Sequence, residues 1–263
     1  MTVETLVHRA IDRVDGEREQ VAAHRESVER FAKEVADLDP VEVDTPTQPR
    51  LTDGGMVTTI DRSDSTADRC RQVRESFAET IRPHSVTDAD DEPLLETIGE
   101  ELGRDIAVAL APGTDGAFTP QVKRAVTSAT ADRRAELEAF DLALEREADS
   151  LEAARSDIDV ITAWLCRANE TPLLELDFEA LRERHETLER HRERCRDLLR
   201  ERQSVLQETA TYNGSAGVRQ RTVAGFLYRE FSTAHPVLTT ALRLEEVCAD
   251  CQRTVRDHLT RRV

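Results

Sequence analysis

The stretch VHRAIDRVDGEREQVAAHRESVERFAKEV, residues 7–35, decides the fold. Val7, Val14, Val21, Val28 and Val35 recur every seventh residue, and Ala10, Glu17, His24, Phe31 and Leu38 each follow three positions later. A spacing of three then four, kept over the whole stretch, marks a helix with a coiled-coil seam. It predicts a helix from about Thr5 to Leu38. Valine is β-branched, and at one seam position it favours two-helix packing. The stretch leaves open whether the second helix lies in this chain or in another. Glu17 and His24 interrupt the companion position and Gly16 weakens the helix locally, so the first half should be the looser one.

Composition agrees with long, narrow-striped helices. Of the 263 residues, 38% are hydrophobic, 4% aromatic and 34% charged, and Trp164 is the only tryptophan. There are 53 acidic against 36 basic residues, a formal net charge of −17, and Lys33 and Lys123 are the only lysines. An arginine-rich, carboxylate-dense chain fits a high-GC genome and a cytoplasm holding molar salt, where the Debye length shrinks to about 3 Å. A phosphate-binding surface needs the opposite charge balance, so nucleic acid is not the expected partner. The N-terminal residues show no secretory pattern. The longest apolar run, Ile106 to Ala111, falls far short of the ~18 residues that span a bilayer. The expected setting is therefore cytoplasmic, with reduced thiols at Cys70, Cys166, Cys195, Cys248 and Cys251.

Beyond the first helix, residues 39–66 hold prolines, a Gly-Gly pair, Thr, Ser and acidic residues without apolar periodicity. They are expected to form a flexible, disordered linker. That divides the chain into a coiled-coil helix over 1–38, the linker 39–66 and a helical body over 67–263. Within the body, Cys70, Val73, Phe77 and Ile81 line one helix face, and Pro93 opens a helix predicted over Leu94 to Leu110. Thr119-Pro120 starts a long helix to about Ala168, with Phe140, Leu144, Glu147, Leu151, Ala154, Ile158, Ile161 and Leu165 along its seam. A short turn leads to a helix from Asp177 to about Ala210, and the two should form an antiparallel hairpin, 119–168 with 178–210. A Gly-rich loop at TYNGSAG and a last helix over 236–262 complete an all-α bundle with coiled-coil character.

The segments ETIRPHS (79–85), EPLLETIGEEL (92–102), IAVALAP (106–112), FTPQVKRAV (118–126), FEALRERHETL (178–188) and CQRTVRDHL (251–259) carry a further signal. Through them the chain resembles a haloarchaeal family known only as a domain of unknown function. The resemblance spans nearly the whole chain and implies a helical protein of a salt-loving archaeon. It implies no activity, ligand or catalytic residue.

The constellation with most chemistry is thiol-rich. Cys248 and Cys251 share a face of the last helix, and His191 and Cys195 share a face of the helix before it. Together they form a sound tetrahedral zinc set. The competing reading is packing, since all four lie on or beside apolar seams, where cysteine behaves as a small hydrophobe. HETLE (185–189) has glutamate where a zincin needs its second histidine. Eight arginines between Arg182 and Arg202 alternate with acids, as a solvated, ion-paired face does. His84-Ser85 is too local to make a catalytic pair, and no catalytic or cofactor-binding residue is assigned. The expected role is a scaffold, adaptor or regulator acting through protein–protein contacts or self-association along the seams, and not an enzyme. The alternative is a metal- or redox-responsive sensor built on the Cys/His cluster.

Overall fold

The structure is a computed structural model that describes residues 4–41, 63–85, 93–112, 117–212 and 216–261. Most of the expected linker, residues 42–62, therefore lies outside the described residues. The chain is a helical bundle of α1 (Leu6–Asp37), α2 (Ser63–Thr80), α3 (Leu94–Glu101), α4 (Arg104–Ala109), α5 (Pro120–Asn169), α6 (Phe178–Gln207), α7 (Gln220–Leu227) and α8 (Pro236–Thr260). A single 3₁₀ turn, Arg82–His84, follows α2. No helix among the described residues is long and apolar enough to cross a membrane.

Two details depart from the sequence reading. The helix expected over Leu94–Leu110 is broken into α3 and α4 at Gly103, whose φ of 104° lies where only glycine is comfortable. Where a Gly-rich loop is expected after α6, β1 (Thr209–Tyr212) pairs antiparallel with β2 (Ala216–Arg219), Thr209 opposite Arg219 and Tyr212 opposite Ala216. The hairpin lets α6 end and α7 begin side by side, with the Gln220 N–H donating to Glu208 O at 3.0 Å.

The chain folds into two compact units. One comprises residues 1–19 and 139–263; the other comprises 20–138. All five valines of the first helix's ruler are buried within this chain.

In the first unit α6 packs on α5 and α8, antiparallel to both. Arg194 Nη2 reaches Asp157 Oδ2 at 2.5 Å and Arg202 reaches Glu147, so residue numbers rise along α6 as they fall along α5. Arg192 bonds Glu245, and the Gln252 amide donates to Glu189 Oε2 at 2.8 Å, which fixes α8 in the same sense. Leu188, Cys195 and Leu198 of α6 and Val237, Ala241, Leu244, Cys248 and Val255 of α8 are buried, the apolar stripes their spacing demands. Phe140 meets Phe226 of α7 edge-on at 5.9 Å.

In the second unit Phe31 of α1 meets Phe77 of α2 edge-on at 5.7 Å, beside a Ser76–Glu34 hydrogen bond of 2.5 Å. Lys123, in the first turn of α5, donates at 2.7 Å to both Ala36 O and Leu38 O. Those carbonyls at the end of α1 have no helical partner, and a cation suits the negative end of the helix dipole.

Candidate functional site: the thiol seam and two buried carboxylates

Antiparallel packing of α6 on α8 brings Cys195 and Cys248 together. Both are fully buried, and they lie close enough for a charge on one to oppose a charge on the other. Burial first, then the nearby Glu245 carboxylate, pushes the Cys195 thiol up to about 11. Burial, then Cys195 itself, pushes Cys248 up to about 12. Neither is a thiolate near neutrality, and the thiolate is both the metal ligand and the nucleophile.

The other two residues of the expected zinc set do not complete it. Cys251 is half-buried, its thiol raised by burial and by Asp250, with Arg184 opposing. The His191 ring lies against Trp164, centroids 5.0 Å apart, and burial followed by the Arg190 charge lowers its pKa. Among the described residues no three His, Cys, Asp or Glu side chains gather into a group that could hold a metal ion. Cys195 and Cys248 lie in the apolar seam as buried thiols.

HETLE is equally committed. Glu189 accepts from Gln252 and stands 3.5 Å from Arg192 and 3.8 Å from Arg196. The Ser85 hydroxyl donates to Glu101 Oε1 at 3.2 Å.

Two polar clusters with long-range partners were not legible in the sequence. In the first, Glu147 of α5 is wholly buried and accepts four hydrogen bonds. Arg202 grips it with two nitrogens, Nη1 to Oε2 at 3.0 Å and Nη2 to Oε1 at 2.5 Å. Tyr228 Oη donates to Oε1 at 2.6 Å and Gln220 Nε2 to Oε2 at 2.9 Å. Every lone-pair direction of the carboxylate is occupied, so it has no capacity left to act as a base. Burial, then the Glu147 charge, raises the Tyr228 phenol far above its usual value and keeps it a neutral donor. Arg202 is thus the exception to the solvated arginine face: its side chain is 1% exposed and pins α6 to α5. Five of the other seven arginines of the stretch, Arg182, Arg192, Arg194, Arg196 and Arg200, are paired to carboxylates as expected, while Arg184 donates to Thr171 O and Arg190 to the Thr187 hydroxyl.

In the second cluster, Glu101 at the end of α3 meets Arg133 Nε at 2.8 Å and His24 Nε2 at 3.3 Å. Burial alone would push this carboxyl up, but the His24 contact and the Arg133 charge outweigh it and hold it below the usual range. His24, an apparent flaw in the α1 seam, is thereby matched to a carboxylate on α3. Glu17, the other flaw, is matched to Arg13 at 3.1 Å.

No curated protein and no solved structure matches the chain. Residues 5–252 match one family throughout that span. The chain belongs to DUF7260, a domain of unknown function.

Proposed function

We propose that this protein is a helical adaptor of a salt-adapted archaeal cytoplasm, acting through contacts with another protein. One observation carries the reading. Leu174 and Phe178, at the turn between α5 and α6, are 78% and 46% exposed, among the large hydrophobics that stay exposed together with Val108, Val160, Leu242 and Val247. Single exposed hydrophobics are ordinary, but two large ones four residues apart at one helix-hairpin tip form a contact surface. The valine ruler supports coiled-coil packing inside the chain, and its burial leaves that seam closed to an outside partner. The excess of 53 acidic over 36 basic residues supports the salt-adapted setting.

Site-specific photo-cross-linking tests the reading. A cross-linking residue replaces Leu174, or Val108 as an exposed control, in extracts of the source organism at native salt. The expected result is a discrete heteromeric adduct from position 174 that Phe178→Ser abolishes. Identical adduct patterns from both positions would overturn the adaptor reading.

A further inference from the structure

We propose that Cys195 and Cys248 are a redox-convertible pair, which a peroxide oxidises to a disulfide joining α6 to α8 when the seam between these helices opens. The register brings them together. Gln252 of α8 donates to Glu189 of α6, and Arg196 of α6 donates to Glu245 of α8. Cys248 lies between Glu245 and Gln252, and Cys195 lies between Glu189 and Arg196, so both fall in the same stretch of the seam. Each is 0% exposed, so neither turns to water. They are near enough for a thiolate on Cys195 to oppose one on Cys248.

Helix geometry permits this link and disfavours the nearest rival. Packed helix axes run about 8–10 Å apart, and each helix carries its Cα atoms about 2.3 Å from its axis. Facing Cα atoms across a seam therefore approach to about 4–5 Å, within reach of the roughly 4.4–6.8 Å that a disulfide spans. Cys251 shares α8 with Cys248, three residues on. Cβ atoms so spaced on a helix stand about 5–6 Å apart, wider than the roughly 3.5–4.5 Å of a disulfide. A Cys248–Cys251 bond would have to unwind α8 near its middle.

The oxidation balances with peroxide alone. One thiol takes an oxygen from hydrogen peroxide and becomes a sulfenic acid, and one water leaves. The other sulfur attacks it, the S–S bond forms, and the hydroxyl departs as a second water with the attacking thiol's proton. The closed seam holds this chemistry back, because burial keeps both thiols protonated and shields them from the oxidant. Opening readmits water and with it the ordinary thiolate fraction of a cysteine. Oxidation thus records an opening, and the bond prevents the next one.

The test uses the full chain carrying Cys166→Ser, which removes the exposed thiol, treated with hydrogen peroxide in molar potassium chloride. Peptide mapping after alkylation in denaturant is expected to find one link, Cys195 to Cys248. Its formation is expected to quicken by about tenfold in urea below the unfolding transition, as an opening that exposes surface does. The oxidised chain is expected to melt about 5 °C or more above the reduced one, and dithiothreitol to abolish the difference. Cys251→Ser is expected to keep the link and Cys195→Ala to abolish it.

Any other mapped link, a covalent dimer, or sulfinic acid in place of a link would overturn the proposal. So would a rate that urea leaves unchanged, or a disulfide that lowers the melting temperature. The mapping is made on the native seam cysteines, so a seam variant that misfolds does not decide the outcome.

Discussion

Glu147 has four hydrogen bonds and no access to water, so the consequence of losing a partner can be reasoned atom by atom. Arg202→Leu leaves a buried carboxylate without its counter-charge, which costs about 3–5 kcal/mol. Replacing both, Glu147→Leu with Arg202→Leu, removes the charge and its partner together and should cost less than the sum of the two single changes. Urea denaturation of the four proteins measures this, and strict additivity would show that the pair is uncoupled. Glu101 makes a prediction in pH. Its folded pKa is held below the ordinary 4.5, so its stabilising contribution is present above that value and lost as pH falls through the folded one. The melting-temperature gap between wild type and Glu101→Gln should shrink as pH falls below about 4.5; a gap that acid leaves unchanged contradicts the assignment. Thiol labelling supplies a third test. Cys166 is exposed, whereas Cys195 and Cys248 are buried with thiols raised to about 11 and about 12. Maleimide at mildly alkaline pH should modify Cys166 first and reach the seam pair only in denaturant. Residue roles were the least legible part of the sequence. Glu147 sits in a periodic apolar row and Arg202 in a charged one, and their pairing 55 residues apart depends on how three helices meet.

At the scale of elements, periodicity was a good guide. The valine ruler lies inside α1, and α5, α6 and α8 begin where Pro120, Asp177 and Pro236 mark their first turns. The hairpin of α5 with α6 followed from a short connection, and α8 on α6 from apolar stripes that had to be covered. What periodicity could not reveal was backbone conformation. Gly103 sits in an apparently continuous helical stretch, and nothing in its neighbours announces a φ of 104°. The β1–β2 hairpin was equally hidden, because four-residue strands beside an Asn-Gly pair resemble any glycine-rich loop. Two glycines convert this into opposite expectations. A Cβ on Gly103 would meet no atom within 4 Å, so Gly103→Ala is opposed by backbone strain alone, about 1–3 kcal/mol. A Cβ on Gly16 likewise meets nothing, but Gly16 is in the middle of α1, so Gly16→Ala should stabilise by about 0.5–1 kcal/mol. Thermal melts of the two variants should move apart from wild type, Gly103→Ala downward and Gly16→Ala upward.

Charge acts at the scale of the whole molecule, because 53 carboxylates against 36 basic side chains cannot all be paired. About half of the pairs among the described residues join neighbours one helical turn apart, the exposed ones such as Arg30–Glu26 and Arg253–Asp250 among them. Surface pairs of this kind contribute about 0–1 kcal/mol each, and salt weakens them. The unpaired excess repels, and salt weakens that as well; with a net charge of −17 the relief of repulsion outweighs the loss of attraction. Raising ionic strength from 0.1 M to 1 M shortens the Debye length from about 10 Å to about 3 Å, so carboxylates a helical turn or more apart cease to interact. Asp12, Asp15 and Glu19 give the effect a location, for they stand exposed at successive turns on one face of α1. Like charges at that spacing cost a few tenths of a kcal/mol per pair, roughly 0.2–0.5. The melting temperature should therefore climb from dilute buffer to molar potassium chloride. At roughly 2–4 °C per kcal/mol for a chain of this size, a few kcal/mol of relieved repulsion reads as about 5–10 °C. Concentrated salt can also strengthen apolar burial, so the neutralised variant Asp12→Asn, Asp15→Asn, Glu19→Gln separates the two causes. If repulsion is the cause, it melts higher than wild type in dilute buffer and the two converge in molar salt. If burial is the cause, wild type and variant rise in parallel, and a melting temperature indifferent to salt in both would remove the salt-adapted reading altogether.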